Sequence, residues 1–308
     1  MSGYRRFSAI CLLVNVLAHV LLLLKAAPPL LHSLASFYSL ALAPGLLLAP
    51  LLLRADRQTW ALPERLLLGA GAGSAMFLPI TLLLSYWPGP LTLTQLLLTF
   101  DAIALTAALV GWQRDDLEDG PSCGTPRAWT RWSTLALLSV LLLTAYFRLA
   151  NLGYAELQGD EAKVVLHAIA AVQGDDDVLF VHRRGPADVL APALVATLDT
   201  PLTESLFRLP FALISIVVVG ILFLLGQTVR STMTGWLAGL LLAGEGLFVA
   251  FARIVQYQAF IHLSAAGTLY LLFLLHRVVE ADRGVIDRRL VRNYLFKFNT
   301  GLIDGDEA

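Results

Sequence analysis

The chain is 308 residues long, 57% of them hydrophobic and 15% charged, with a formal net charge of -1. So few charges cannot cover a water-facing surface, and the near-neutral balance offers no global field for a nucleic-acid partner. The two cysteines, Cys11 and Cys123, supply neither a disulfide framework nor a metal-ligand spacing.

Crossing a hydrocarbon layer of roughly 30 Å takes about 20 apolar residues. Eight runs reach that length, at 7–24, 30–53, 66–87, 92–112, 133–150, 207–227, 234–252 and 259–276. The expected fold is all-α, a polytopic transmembrane helical bundle of about eight spans. The first run, in "MSGYRRFSAICLLVNVLAHVLLLL", has the basic start of a secretory signal. No small-x-small cleavage site follows it, so it reads as a retained first span. Turn residues mark the reversals: "APP" at 27–29, "WPGP" at 87–90 and "EDGPSCGTP" at 118–126. Trp87, Trp112 and Trp132 sit at span ends, where aromatic belts form. Asp101 and Glu245 fall inside spans, where a carboxylate is costly and faces the bundle interior or a water-filled cavity. Structural pairing and a functional role are equally open for both.

Four regions follow: a four-span front at 1–112, a cytoplasmic linker at 113–132, a core at 133–276 and a cytoplasmic tail at 277–308. With the N-terminus inside, the cytoplasmic segments carry Arg5, Arg6, Arg54, Arg57, Arg65, Arg114, Arg127, Arg131, Arg230 and the six basic residues after 276. That arrangement obeys the positive-inside rule and puts 151–206, the one large hydrophilic insertion, outside the cytoplasm. The expected location is the plasma (inner) membrane, crossed many times.

Within that loop, Asp160, Lys163 and His167 repeat at i, i+3 and i+7, and Val165, Ile169 and Val172 form a second, apolar face. An amphipathic helix lying at the membrane interface fits both. Asp160 follows Gly159 and is placed to cap that helix. "GDDD" at 174–177 ends it, and "VLFVHRRGPADVLAPALVATL" supplies a second apolar-polar stretch with His182, Arg183, Arg184 and Pro186. The arginine pair suits headgroup anchoring or a site.

Four pieces in order carry a resemblance: "YFRLANLG" with "GDEA" soon after, then "HRRGPADVLAPALVATL", "TESLFRLPFALISIVVVGILFLLGQTV" and "GWLAGLLLAGEGLFVAFARIVQYQAF". Together they resemble the GT-C superfamily of membrane glycosyltransferases, in particular its protein mannosyltransferase, aminoarabinose transferase and rhizobial lipopolysaccharide sugar transferase members. The resemblance covers about 145–275, and 1–112 carry no matching motif. It implies transfer of a sugar from a polyprenyl-phosphate-linked donor to a lipid, glycan or protein acceptor on the outer face, with membrane lipids as surroundings. It implies Asp160 as general base and Glu161 as the neighbour that orients or tunes it. Adjacent like charges should raise one another's pKa. Arg183, Arg184, Arg208 and Arg253, backed by Lys163 and His182, would meet the leaving phosphate, and Tyr257 would line the pocket. No cofactor is expected; some members of the superfamily use a divalent metal, which the resemblance leaves open.

Two departures stand out. Relatives carry a second acid after the arginine of the last motif, where this chain has Gln256, Tyr257 and Gln258. Relatives also continue for several more spans, so a fragment or one half of a split enzyme is expected. The alternatives are a catalytically inactive membrane scaffold and a lipid-linked sugar transporter. Transporters usually show paired broken helices or an inverted repeat, and neither is visible in the sequence.

Overall fold

A computed structural model describes residues 3–24, 27–52, 61–115, 129–175, 177–181, 185–198 and 200–276. Its helices are α1 (Gly3–Leu23), α2 (Pro29–Leu52), α3 (Leu62–Ser85), α4 (Leu93–Asp115), α5 (Arg131–Leu149), α6 (Gly159–Val172), α7 (Asp177–Val181), α8 (Ala187–Ala196), α9 (Glu204–Val229), α10 (Thr232–Gly244), α11 (Gly246–Ala252) and α12 (Gln258–His276). Among the described residues there is no strand. Seven helices, α1 to α5, α9 and α12, are long and apolar enough to cross a membrane, and α10 with α11 makes an eighth path bent by 67°. The protein is a multi-pass helical membrane protein. Two compact units divide it, 1–267 and 268–308; the second is described only over 268–276, the far end of α12.

Burial ranks the spans. α9 is the most enclosed, followed by α2 and α3, while α1, α4, α5 and α12 keep most of their surface open, as lipid-facing helices do. On α1, Ile10, Leu13, Val16 and Leu17 form such an outer face. Lipid is as apolar as leucine, so helices associate through close packing, and small residues permit it. A Cβ added to Gly45 would run into Gly69 O of α3, and one added to Gly73 would run into Ala41 O of α2. Farther along, Gly226 of α9 lies against Gly235 of α10. The same side of α3 that carries Gly71 meets Ile221 and Val217 of α9, joining the front helices to the rest.

Local chemistry sets the ends and irregularities. α2 widens into one π-helical turn at Tyr38–Leu42, which ends two residues before Pro44, whose ring and missing N–H disturb ordinary helical bonding. Thr130 Oγ1 accepts from Ser133 N at the start of α5, and Ser231 Oγ accepts from Thr234 N at the start of α10. Those two starts are joined by the Ser133 and Thr232 hydroxyls, 2.9 Å apart.

Asp101 is paired structurally. Asn15 Nδ2 donates to its Oδ1 at 2.7 Å, and His19 Nε2 lies 3.0 Å from its Oδ2, fastening α1 to α4. Glu245 sits at the bend itself, with Gly244 and Gly246 on either side. Its carboxylate accepts from Leu247 N at 3.1 Å and Phe248 N at 2.5 Å, so it caps α11. The continuous span expected at 234–252 is therefore broken at Glu245, and the carbonyls of Leu242 and Ala243 at the end of α10 accept from Arg148.

Candidate active site

Between α5 and α9 the chain folds back against the bundle end as α6, α7 and α8. Val164, Val165, Ala168 and Ala171 are buried, while Asp160, Lys163 and Leu166 are exposed. A helix with one buried face is present and its Asp160 and Lys163 face outward, but the buried face runs through Val164, Val165, Ala168 and Ala171; of the expected apolar residues only Val165 is buried, and Ile169 and Val172 are half-buried. Ala168, Ala171, Val189, Leu190 and Ala193 form an apolar cluster that seats α6 on α8. Gly174 turns the chain with φ 96° and approaches Gly89 and Pro90, so the short 87–90 connection belongs to the same end of the molecule.

The first turn of α6 is held by one buried ion pair. Arg208, 1% exposed, reaches from α9 to Glu161, 3% exposed, with Nε donating to Oε1 at 3.0 Å and Nη2 to Oε2 at 2.7 Å. Its other N–H groups go to main-chain carbonyls: Nη1 to Leu152 O and Ala155 O, Nη2 to Glu156 O. An arginine has five N–H donors, and all five are engaged. Glu161 accepts two further bonds, from Val255 N at 2.9 Å and Gln158 N at 3.2 Å. One carboxylate therefore ties together α9, the start of α6 and the link that follows α11.

This corrects three expectations. Gln158, not Asp160, occupies the capping position of α6, and Asp160 is the second residue of the helix. Burial alone would raise the Glu161 carboxyl, but Arg208 and the Val255 and Gln158 N–H groups outweigh it and hold the group below its ordinary value, rather than above it. Arg208 has no donor left for a phosphate; its place is structural. The reach of Glu161 back to Gln158 N is a capping-box contact, and the Glu three positions after Gln158 is its sequence signal.

Arg253 is placed differently. It is half-buried, donates Nη1 to Phe147 O at 2.8 Å and Nη2 to Asn151 O at 3.0 Å, and so closes the end of α5. The ring of Tyr154, half exposed, lies 5.2 Å from the Cζ of both Arg208 and Arg253. Asn151 adopts φ 51°, which turns the chain so that Tyr154 can reach this position. Tyr257 is half-buried, and its carbonyl accepts from Phe260 N and Ile261 N where α12 begins. The Val255–Glu161 bond thus brings the 253–257 segment to the first turn of α6, next to Asp160 in the chain. His182, Arg183 and Arg184 lie outside the described residues.

Sequence reasoning passed over Arg148. It is fully buried at the end of α5, with Nε donating to Ser215 Oγ at 2.7 Å, Nη1 to Ala243 O at 3.2 Å and Nη2 to Leu242 O at 3.3 Å. Those carbonyls are the ones left open where α10 stops, which is how a span can break without orphaned backbone. Its signal was a cation in the last turn of an apolar run. Among the described residues no group of three or more His, Cys, Asp or Glu is placed to hold a metal ion.

No family model, curated protein or solved structure matches the chain.

Proposed function

We propose that the protein is a membrane glycosyltransferase, or part of one, that moves a sugar from a polyprenyl-phosphate-linked donor to an acceptor on the outer face. The observation that carries this reading is the Glu161–Arg208 clamp, which fixes the start of α6 while leaving its neighbour Asp160 exposed. The ordered resemblance over 145–275 supports it. A lipid-anchored phosphate rides at headgroup level, so the base that serves it must sit at the bundle end and not deep in the spans.

In this scheme the acceptor hydroxyl attacks the anomeric carbon. A new C–O bond forms as the bond from that carbon to the phosphate oxygen breaks, and Asp160 takes the hydroxyl proton. General-base help of this kind is worth about 10²–10⁴ in rate. The freed phosphate carries the displaced charge. Arg253 has three N–H donors beyond the two it gives to Phe147 O and Asn151 O, and Lys163 is exposed on the same helix as Asp160. Those two, with Arg183 and Arg184, are the cations assigned to it, and Tyr257 lines the approach. Arg208 and Glu161 act by positioning.

The test is transfer from a radiolabelled polyprenyl-phosphate sugar in vesicles containing the full chain. Asp160→Asn is expected to lower turnover by at least about 10²-fold while the chain still folds in detergent. Native-like turnover in that variant would remove Asp160 as base, and absence of donor binding by the unaltered chain would favour a scaffold.

A further inference from the structure

The bend at Glu245 lies near the mid-length of the long helix α9. α9 has 26 residues, about 39 Å at 1.5 Å per residue. Ser215, which receives Arg148 Nε, lies about 16 Å from its Glu204 end and about 21 Å from its Val229 end. Arg148 also holds Leu242 O and Ala243 O, so the break lies within about one helical turn, roughly 5 Å, of that level. A hydrocarbon layer of roughly 30 Å placed anywhere along α9 contains it.

Yet this stretch is open. Gly244, Glu245 and Gly246 are exposed, and a Cβ added at either glycine meets nothing within 4 Å. An ionisable side chain and irregular backbone at such depth persist only against protein or water. The adjoining surface is not built for water. A groove of about 410 Å³ runs from Glu245 between α10 (Thr234, Ala238, Leu241) and α9 (Leu225, Gly226), and apart from Glu245 and one threonine these walls are carbon. Gly226 already packs against Gly235 of α10, while the small Ala238 side chain leaves room in the groove for another backbone to approach.

We propose that a transmembrane helix of another polypeptide, carrying a cationic side chain level with Glu245, packs into this groove. Complementarity selects it: both Glu245 oxygens accept from N–H groups of its own backbone, at Leu247 and Phe248, the residue is exposed at the end of the groove, and a cationic side chain is the partner that a carboxyl group at such depth takes. A second copy meeting across the same face would set Glu245 against Glu245. The assignment stands whether or not the sugar-transfer reading does.

The full chain, labelled at one site, is incorporated in phosphatidylcholine vesicles with synthetic Leu–Ala peptides of about 20 residues, bearing either Arg or Leu at the centre. Energy transfer to a labelled peptide reports binding. The Arg peptide is expected to bind roughly five- to thirtyfold tighter than the Leu peptide. Glu245→Gln keeps an acceptor for the Leu247 and Phe248 N–H groups and is expected to erase that preference. Ala238→Phe, which fills the groove, is expected to weaken both peptides. Equal affinity for the two peptides, or a preference that survives Glu245→Gln, overturns the proposal. So does labelling of Glu245→Cys by a membrane-impermeant thiol reagent in vesicles, after Cys11 and Cys123 are replaced by Ser, because it would place water there. Energy transfer between two copies that is lost on Glu245→Gln would assign the face to self-association and overturn it too.

Discussion

Removing the charge of Glu161 should release the start of α6 while leaving the spans in place. Glu161→Gln preserves shape, but one of the two acceptor oxygens becomes an N–H₂ group. That group must then face Arg208 or one of the N–H donors of Gln158 and Val255. Arg208 stays 1% exposed with its guanidinium charge unpaired, and breaking one side of a buried ion pair costs about 3–5 kcal/mol. Since 1.4 kcal/mol is a factor of ten, amide exchange in α6 should accelerate by roughly two to nearly four powers of ten. Amides of α9 should change far less. Hydrogen exchange of the full chain in detergent, followed by peptide, reads both. Arg208→Met should give a similar acceleration, and joining it to Glu161→Met should cost less than the two separate effects summed, since neither charge is then stranded. Exchange in α6 within about threefold of the unaltered chain for both single variants would refute the clamp.

The depressed Glu161 carboxyl makes a pH prediction. Its contribution is complete above the ordinary value of 4.5 and is lost as the pH falls below it through the folded-state value. Opening of α6, corrected for intrinsic exchange, should therefore rise on acidification below about 4.5, and Glu161→Gln should flatten that dependence. In the front helices, Gly73→Ala sets a methyl against Ala41 O; overpacking of this kind costs about 1–3 kcal/mol. A lowered melting temperature in detergent checks it, and an unchanged one would mean that α2 and α3 separate freely.

The spans were legible because one physical requirement, a length of apolar chain matched to the bilayer, acts locally and dominates. Each of the eight runs has a helix or helix pair within a few residues of its expected place. The helix at α6 was legible from local periodicity, but its buried face was not: that face follows Val164, Ala168 and Ala171, which pack inward, and leaves Ile169 and Val172 half-buried. What escaped was non-local. Glu161 and Arg208 are 47 residues apart in sequence, and nothing between them says that an arginine in the second turn of a span turns inward instead of toward a ligand. The break at Glu245 was hidden because hydropathy counts apolar residues and is blind to direction. Arg148, 95 residues from the Ala243 carbonyl it serves, is what makes the break tolerable, and two lone residues in separate runs carry no mark of that partnership.

Arg148 and Arg253 also point in opposite directions along the chain. Arg148, at the end of α5, holds the last carbonyls of α10, while Arg253, just past α11, holds carbonyls at the end of α5. The corner at Glu245 is thereby cross-braced from both of its arms against one common post. Straightening it would tear several charge-assisted bonds at once, each worth about 1.5–3 kcal/mol, so it behaves as a rigid elbow and not as a swinging gate. Any relative movement of these helices has to come from somewhere other than this corner.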